Sequence, residues 1–215
     1  MSSLIKQVVK PVLDPFRPRL LPSIIVAGAQ KAGTSALFTM LCKHTDIVPP
    51  AEKELNFFNK DDVWRLGLKQ YKKMLPMRPW RGTNWTTLDA TPGYLYHPEA
   101  AQRIHAALPT ATIVVVIRDP VARAYSDWNM FNQFKGHSKF DHLHDPRPFE
   151  QAVQAELAAP ARAAYLRRGH YAEQLARYFQ YFPREQVLIF PYPQLKRDPS
   201  HVVNTICKAA GLDAL

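Results

Sequence analysis

The run SIIVAGA at residues 23–29 passes straight into QKAGTS and then into the helix-forming stretch TSALFTML at 34–41. A short apolar run rich in β-branched residues and ending in glycine has the pattern of a strand buried in a parallel sheet. A helix that starts five residues later leaves only a tight loop between the two. ATIVVVI at 111–117 repeats the strand signature strongly, QVLIF at 186–190 repeats it, and WTTLDA at 85–90 does so more weakly. Helical spacing is expected from Asp119-Pro120, as N-cap and first helical residue, to about Phe134, and again over 169–182. Strands that alternate with helices imply a central parallel sheet covered on both faces.

At 215 residues the chain suits one compact domain, preceded over residues 1–22 by a basic, proline-punctuated lead-in. Lys and Arg number 28 against 18 Asp and Glu, a formal charge of +10, which favours anionic partners without choosing among them. No apolar run approaches the roughly 20 residues that a bilayer requires. The N-terminus lacks a clean apolar stretch and a small-residue cleavage site, which points away from a secretory signal. Cys42 and Cys207 both fall in helical segments without metal-type spacing and read as buried thiols, consistent with a cytoplasmic setting. The polar segment KGHSKFDHLHDPRP at 135–148 reads as a solvated loop. Its histidines match no metal-ligand spacing, and as a long loop it is a secondary candidate for acceptor binding.

The chemistry concentrates in Gly28-Ala29-Gln30-Lys31-Ala32-Gly33-Thr34-Ser35. Between a buried strand and a helix, successive N–H groups and the positive helix end form an anion cradle. Lys31 adds a point charge, and Thr34 and Ser35 add hydroxyl donors. The spacing is not that of a nucleoside-triphosphatase phosphate loop, because threonine rather than lysine follows Gly33. No acidic residue other than Asp89 ends a later strand where magnesium would need one. The loop therefore suits a phosphate-type ligand handled without a metal.

In Ile117-Arg118-Asp119-Pro120-Val121-Ala122-Arg123-Ala124-Tyr125-Ser126, Arg118 ends the strongest strand, where open α/β sheets place their ligands. Ser126 follows two helical turns later. An arginine fork with a hydroxyl suits a second phosphate. Taken alone, Arg118 reads better as a surface ion-pair partner of Asp119; together with the first loop it does not.

GAQKAGTSAL resembles the 5′-phosphosulfate loop of sulfotransferases that use PAPS (3′-phosphoadenosine 5′-phosphosulfate), and IRDPVARAYSDW resembles their 3′-phosphate motif, in the same order and separation. Among these, the chain is most similar to the heparan-sulfate-type enzymes and their bacterial relatives, which carry an acidic residue in a segment like Lys53-Glu54-Leu55-Asn56-Phe57-Phe58. The resemblance runs from about Ser23 to Leu212 and includes RRGHYAEQLARYFQYF. It implies a P-loop NTPase-like three-layer α/β fold over 23–215, short at the C-terminus beside relatives that continue with a basic loop and closing helices.

The activity implied is sulfuryl transfer from PAPS to a hydroxyl or amine, with a carbohydrate as the expected acceptor and adenosine 3′,5′-bisphosphate as product. No metal is implied, and neither nucleic acid nor stable membrane insertion is expected. By the resemblance, Gln30, Lys31, Ala32, Gly33, Thr34 and Ser35 hold the 5′ end of the donor. Arg118 and Ser126 hold its 3′-phosphate, Lys31 assists the leaving oxygen, and Glu54 is the base, with Asp89 in reserve. Phe57 and Phe58 read as core aromatics. Where glycan sulfotransferases often carry a lysine before the Thr-Pro of Asp89-Ala90-Thr91-Pro92, this sequence has Ala90. A nucleotide-binding or anionic-glycan-binding relative without catalysis, and a small-molecule kinase, remain the alternatives.

Overall fold

The computed structural model describes residues 17–80, 82, 84–159 and 164–215, so most of the N-terminal lead-in lies outside the described residues. Four strands form one sheet: β1 (Pro22–Gly28), β2 (Thr87–Ala90), β3 (Thr112–Ile117) and β4 (Val187–Pro191). All pairings are parallel and the order is β2-β1-β3-β4. Ile24 to Ala27 and Ile113 to Val116 are fully buried, which is why both strands read as unbroken apolar runs rather than alternating ones.

The helices are α1 (Thr34–Leu41), α2 (Asp61–Trp64), α3 (Leu68–Met74), α4 (Gly93–Tyr96), α5 (Ala100–Ala107), α6 (Pro120–Asn132), α7 (Phe149–Ala158), α8 (Tyr171–Phe179), α9 (Tyr192–Arg197) and α10 (Pro199–Ala209). α1 and α9 pack with α10, while α4, α5 and α8 pack together, so helices cover the sheet in two groups. The chain leaves β1 for β2 on one side and then crosses to β3 on the other. A crevice opens where such connections diverge, beyond the carboxyl ends of the strands.

Helix α6 starts as the sequence predicts: the Asp119 side chain accepts a hydrogen bond from the Ala122 N–H at 2.8 Å, and Pro120 occupies the first helical position. It ends at Asn132, two residues short of the expected Phe134. α8 is likewise shorter than the predicted 169–182, because the turn Arg167–Gly169 precedes it and the chain leaves the helix at Gln180.

The outer part of α6 belongs to a second, small core. Ala124, Ala152 and Tyr165 are buried there, with Trp128, Phe131, Phe149 and Leu166 packed around them. Arg123 lies within it, fully buried, donating to Asp127 Oδ2 at 3.0 Å and to the Tyr165 carbonyl. The expected irregular segment 135–148 is made of turns with one short 3₁₀ helix, Asp141–Leu143. Its Asp145 is buried and accepts from Arg147 Nη2 at 2.6 Å and from Tyr165 Oη at 2.9 Å, so that end of the loop is tied to the small core rather than solvated. Among the described residues, no group of three or more His, Cys, Asp or Glu is placed to hold a metal ion, and no helix is long and apolar enough to cross a membrane. Cys42 is half-buried and Cys207 buried, both are free thiols, and burial pushes both above the ordinary thiol range.

Candidate active site

The loop between β1 and α1 extends the sheet ladder by one bond, from the Ala29 N–H to the Val116 carbonyl at 2.8 Å, and then turns sharply. Lys31 adopts the left-handed conformation with φ 69°, and Gly33 does so with φ 87° as the cap of α1. Left-handed backbone is ordinary for glycine and uncommon for lysine. Ala32 spends its N–H inside the turn, on the Ala29 carbonyl at 3.1 Å. The first intrahelical bond runs from Leu37 N–H to the Gly33 carbonyl, so the N–H groups of the first turn of α1 have no partner within the helix. They add their partial positive charge to that of Lys31.

The two glycines do different work. A Cβ on Gly28 would meet Leu95 Cβ at 2.6 Å, so that glycine makes room for α4 rather than for a ligand. A Cβ on Gly33 would meet the Tyr192 ring at 2.8 Å.

Gln30, Lys31, Gly33, Thr34, Ser35 and Glu54, with Pro92 and Met130, line one cleft of ≈ 280 Å³. Ser35 is exposed and Thr34 is nearly buried. Glu54 reaches the cleft from the segment between α1 and α2. Its carboxylate lies 3.2 Å from Lys53 Nζ, and its carbonyl accepts from Asn56 Nδ2 at 3.1 Å. Phe57 and Phe58 are fully buried and pack around Tyr71 at centroid distances of 4.7 and 4.8 Å, the first stacked and the second tilted, so they anchor this segment in the core.

Arg118 does not pair with Asp119, whose carboxylate is committed to the helix cap. It reaches back instead, donating from Nη1 to the Lys31 carbonyl at 3.0 Å, with its guanidinium 5.2 Å over the Tyr192 ring. Its own carbonyl accepts from Tyr171 Oη at 2.9 Å. Ser126 is half-buried on α6, one turn before Met130, and residues four apart share a helix face. Met130 lines the cleft, so Ser126 lies on the side of α6 turned toward the loop.

Asp89 is placed differently. Its carboxylate is fully buried behind the cleft and accepts hydroxyl hydrogen bonds from Thr91 and Tyr94, each at 2.7 Å, and from Tyr71 at 3.1 Å. Burial pushes its carboxyl up to about 6, with the three hydroxyls pulling the other way. So enclosed, Asp89 does not line the cleft, and Glu54 is the carboxylate that shares it with Lys31.

Two residues were not singled out from the sequence. Arg168 donates to the Gln30 side chain and lies 3.4 Å from Asp127 Oδ2, joining the loop to α6. Tyr192 walls Gly33 and carries Arg118. RRGHYAEQLARY and FPYPQLKRDP contain them, but nothing in their local spacing announces contacts so far along the chain. The segment 135–148 lines a separate cavity of ≈ 520 Å³, together with Phe131, Tyr165 and Arg168.

A parallel α/β domain whose first strand ends in a lysine-bearing loop at a helix start, and whose next strand in the sheet returns an arginine onto that loop, defines a phosphate-loop-like fold that lacks the triphosphatase lysine. The sulfotransferase-domain family model matches residues 21–214, and the chain belongs to that family. It is 31% identical over 206 residues to the human bifunctional heparan sulfate N-deacetylase/N-sulfotransferase 3, covering 89% of this chain and 22% of that protein. It is 32% identical over 198 residues to the human heparan sulfate glucosamine 3-O-sulfotransferase 6, covering 90% of this chain and 53% of that one. The chain thus spans about half, or less, of the length of these curated relatives. Among solved structures, a sulfotransferase from Alicyclobacillus acidocaldarius superimposes with a TM-score of 0.75 at 27% identity, covering 90% of this chain and 82% of that one.

Proposed function

We propose that the protein transfers a sulfuryl group from PAPS to a hydroxyl or amine of a carbohydrate acceptor. The observation that carries this reading is the single cleft holding Lys31, Thr34, Ser35 and Glu54, with Arg118 locked to the Lys31 carbonyl beside it. The relatives are named for N-sulfation and for 3-O-sulfation of heparan sulfate, which supports a glycan acceptor and leaves amine and hydroxyl both open.

In the proposed reaction the acceptor oxygen or nitrogen forms a bond to sulfur while the bond from sulfur to the bridging phosphate oxygen breaks. Glu54 takes the acceptor proton. Lys31 and the N–H groups of the first turn of α1 stabilise the negative charge that appears on the departing 5′-phosphate, and Gln30 and Ser35 orient it. Ala32 would contribute to the turn rather than through its N–H, which the Ala29 carbonyl already takes. Arg118 and Ser126 hold the 3′-phosphate. Preorganised charge and positioning supply the acceleration. The cavity beside residues 135–148 is the proposed extension of the acceptor site, and the setting is cytoplasmic.

Single-turnover transfer from labelled PAPS to a panel of glycans, lipids and small alcohols tests this, alongside calorimetry with adenosine 3′,5′-bisphosphate. Transfer to a glycan supports the reading. Bisphosphate binding with no transfer to any acceptor favours a non-catalytic nucleotide-binding relative, and phosphoryl transfer from ATP favours a kinase.

A further inference from the structure

We propose that Asp89 is a positioning residue for Glu54, acting through the hydroxyls of Thr91 and Tyr94. The inference rests on the reading of Glu54 as the base. The two hydroxyls are used at both ends. Thr91 Oγ1 donates to Asp89 Oδ1 at 2.7 Å and accepts from the Asn56 N–H at 3.3 Å. Tyr94 Oη donates to Asp89 Oδ2 at 2.7 Å and accepts from the Phe57 N–H at 3.2 Å. Two relays therefore run in parallel from one buried carboxylate to consecutive main-chain groups, two and three residues beyond Glu54.

Donor and acceptor parity explains why a carboxylate sits at the root. A hydroxyl has one proton to give and lone pairs to receive. An ionised carboxylate only accepts, so it draws both hydroxyl protons inward and turns the lone pairs toward the backbone. The main chain they hold has little other freedom. Asn56 is left-handed at φ 53°, its side chain donates to the Glu54 carbonyl at 3.1 Å, and its Oδ1 accepts from Asn59 Nδ2 at 3.1 Å. Phe57 and Phe58 fix the far side in the core. The path from Glu54 to the sheet thus consists of hydrogen bonds with assigned directions. An amide at position 89 would offer a donor to one of the hydroxyls, which must then turn its own proton toward the N–H it now accepts.

The test uses Thr91→Val, which keeps the side-chain shape and removes the hydroxyl, with Thr91→Ser as the rescue and Asp89→Asn at the root. In single-turnover assays, Thr91→Val and Asp89→Asn should each lower the transfer rate by about 10- to 100-fold, the scale of a misplaced catalytic group. Bisphosphate affinity should stay unchanged, and Thr91→Ser should recover most of the rate. In a Glu54→Gln background, Thr91→Val should cost little further, because the group it positions is already gone. Amide hydrogen exchange supplies a readout independent of activity: Asn56 and Phe57 should exchange faster in Thr91→Val than in the parent, with β1 and β3 unaffected. Equal cost of Thr91→Val in both backgrounds, or unchanged exchange at Asn56 and Phe57, overturns the proposal. If the parent transfers nothing, the sulfuryl-transfer reading fails, and the exchange comparison still decides whether the relay holds the Glu54 segment.

Discussion

Arg118 donates through Nη1 to the main-chain carbonyl of Lys31 at 3.0 Å, joining two residues 87 positions apart. The bond fixes the carbonyl of a left-handed lysine and holds the arginine beside the loop, so the two segments proposed to bind the donor's phosphates are joined. Arg118→Ala should therefore weaken both. In calorimetry the parent should prefer the 3′,5′-bisphosphate over the 5′-monophosphate. The variant should lose most of that preference, since a charge-assisted fork to phosphate contributes about 1.5–3 kcal/mol. Equal affinity of the parent for the two nucleotides would remove Arg118 from the 3′ site.

Lys31 separates charge from conformation. Lys31→Ala and Lys31→Gly should both lose on the order of 10²–10³ in transfer rate, the usual cost of removing a preorganised group that meets developing charge. Their stabilities should differ: at φ 69° glycine is at ease and alanine is not, so the glycine variant should unfold later in urea by about 1 kcal/mol. Near-parental turnover in both would take the lysine out of the chemistry.

Glu54→Gln should keep bisphosphate affinity and lose about 10²–10⁴ in single-turnover transfer, the contribution expected of a positioned base. Normal transfer by this variant would show the base to be misassigned.

Gly33→Ala meets two obstacles at once, a φ of 87° and a Tyr192 ring carbon at 2.8 Å. The variant should melt earlier and bind bisphosphate more weakly. Adding Tyr192→Ala should restore only part of either property, because it relieves the collision and not the backbone. Full recovery in the double variant would show that the left-handed turn carries no cost.

Asp89 makes stability depend on pH with a definite sign. Its folded carboxyl titrates at about 6, above the ordinary 3.8, so the folded protein holds that proton more tightly than the unfolded chain. The contribution is fully present below about pH 4, fades as pH rises to about 6 and is level above, amounting to roughly 3 kcal/mol. Asp61 and Asp145, held low mainly by hydrogen bonds from Arg103 and Arg147, act in the opposite sense, with stability lost as pH falls. The difference between parent and Asp89→Asn isolates the one group. In urea unfolding, the parent's advantage should shrink by about that amount between about pH 4 and 7. A constant difference would mean that Asp89 titrates normally.

The sheet was legible because β1 and β3 are buried on both faces, and such strands announce themselves as runs of Ile and Val; the edge strand β4, half-buried at Leu188 and Ile189, still reads as a short apolar run. β2 was fainter because its buried members include Thr87 and Asp89, polar residues whose burial makes sense only once Tyr71, Thr91 and Tyr94 are seen around the carboxylate. Lys31, Gly33 and Ser35 could be read because the whole loop is eight consecutive residues. The partners of that loop could not. Gln30 meets Arg168 138 residues away, and Gly33 meets Tyr192, contacts that depend on how the helices cover the sheet rather than on any local period. Glu54 was named by resemblance alone. What holds its segment, the hydroxyls of residues 91 and 94, carries no local pattern that spacing could reveal.

The two halves of the site draw on unequal foundations. Lys31 and the start of α1 rise from the large core around β1 and β3, whereas α6, which carries Ser126, leans by its other face on the small cluster of Ala124, Ala152 and Tyr165. An anion gripped at both ends would act as a splint between them. The bound molecule would then lend the lesser cluster the rigidity of the greater, and the first part of the fold to loosen on heating without it would be the helix that carries Ser126.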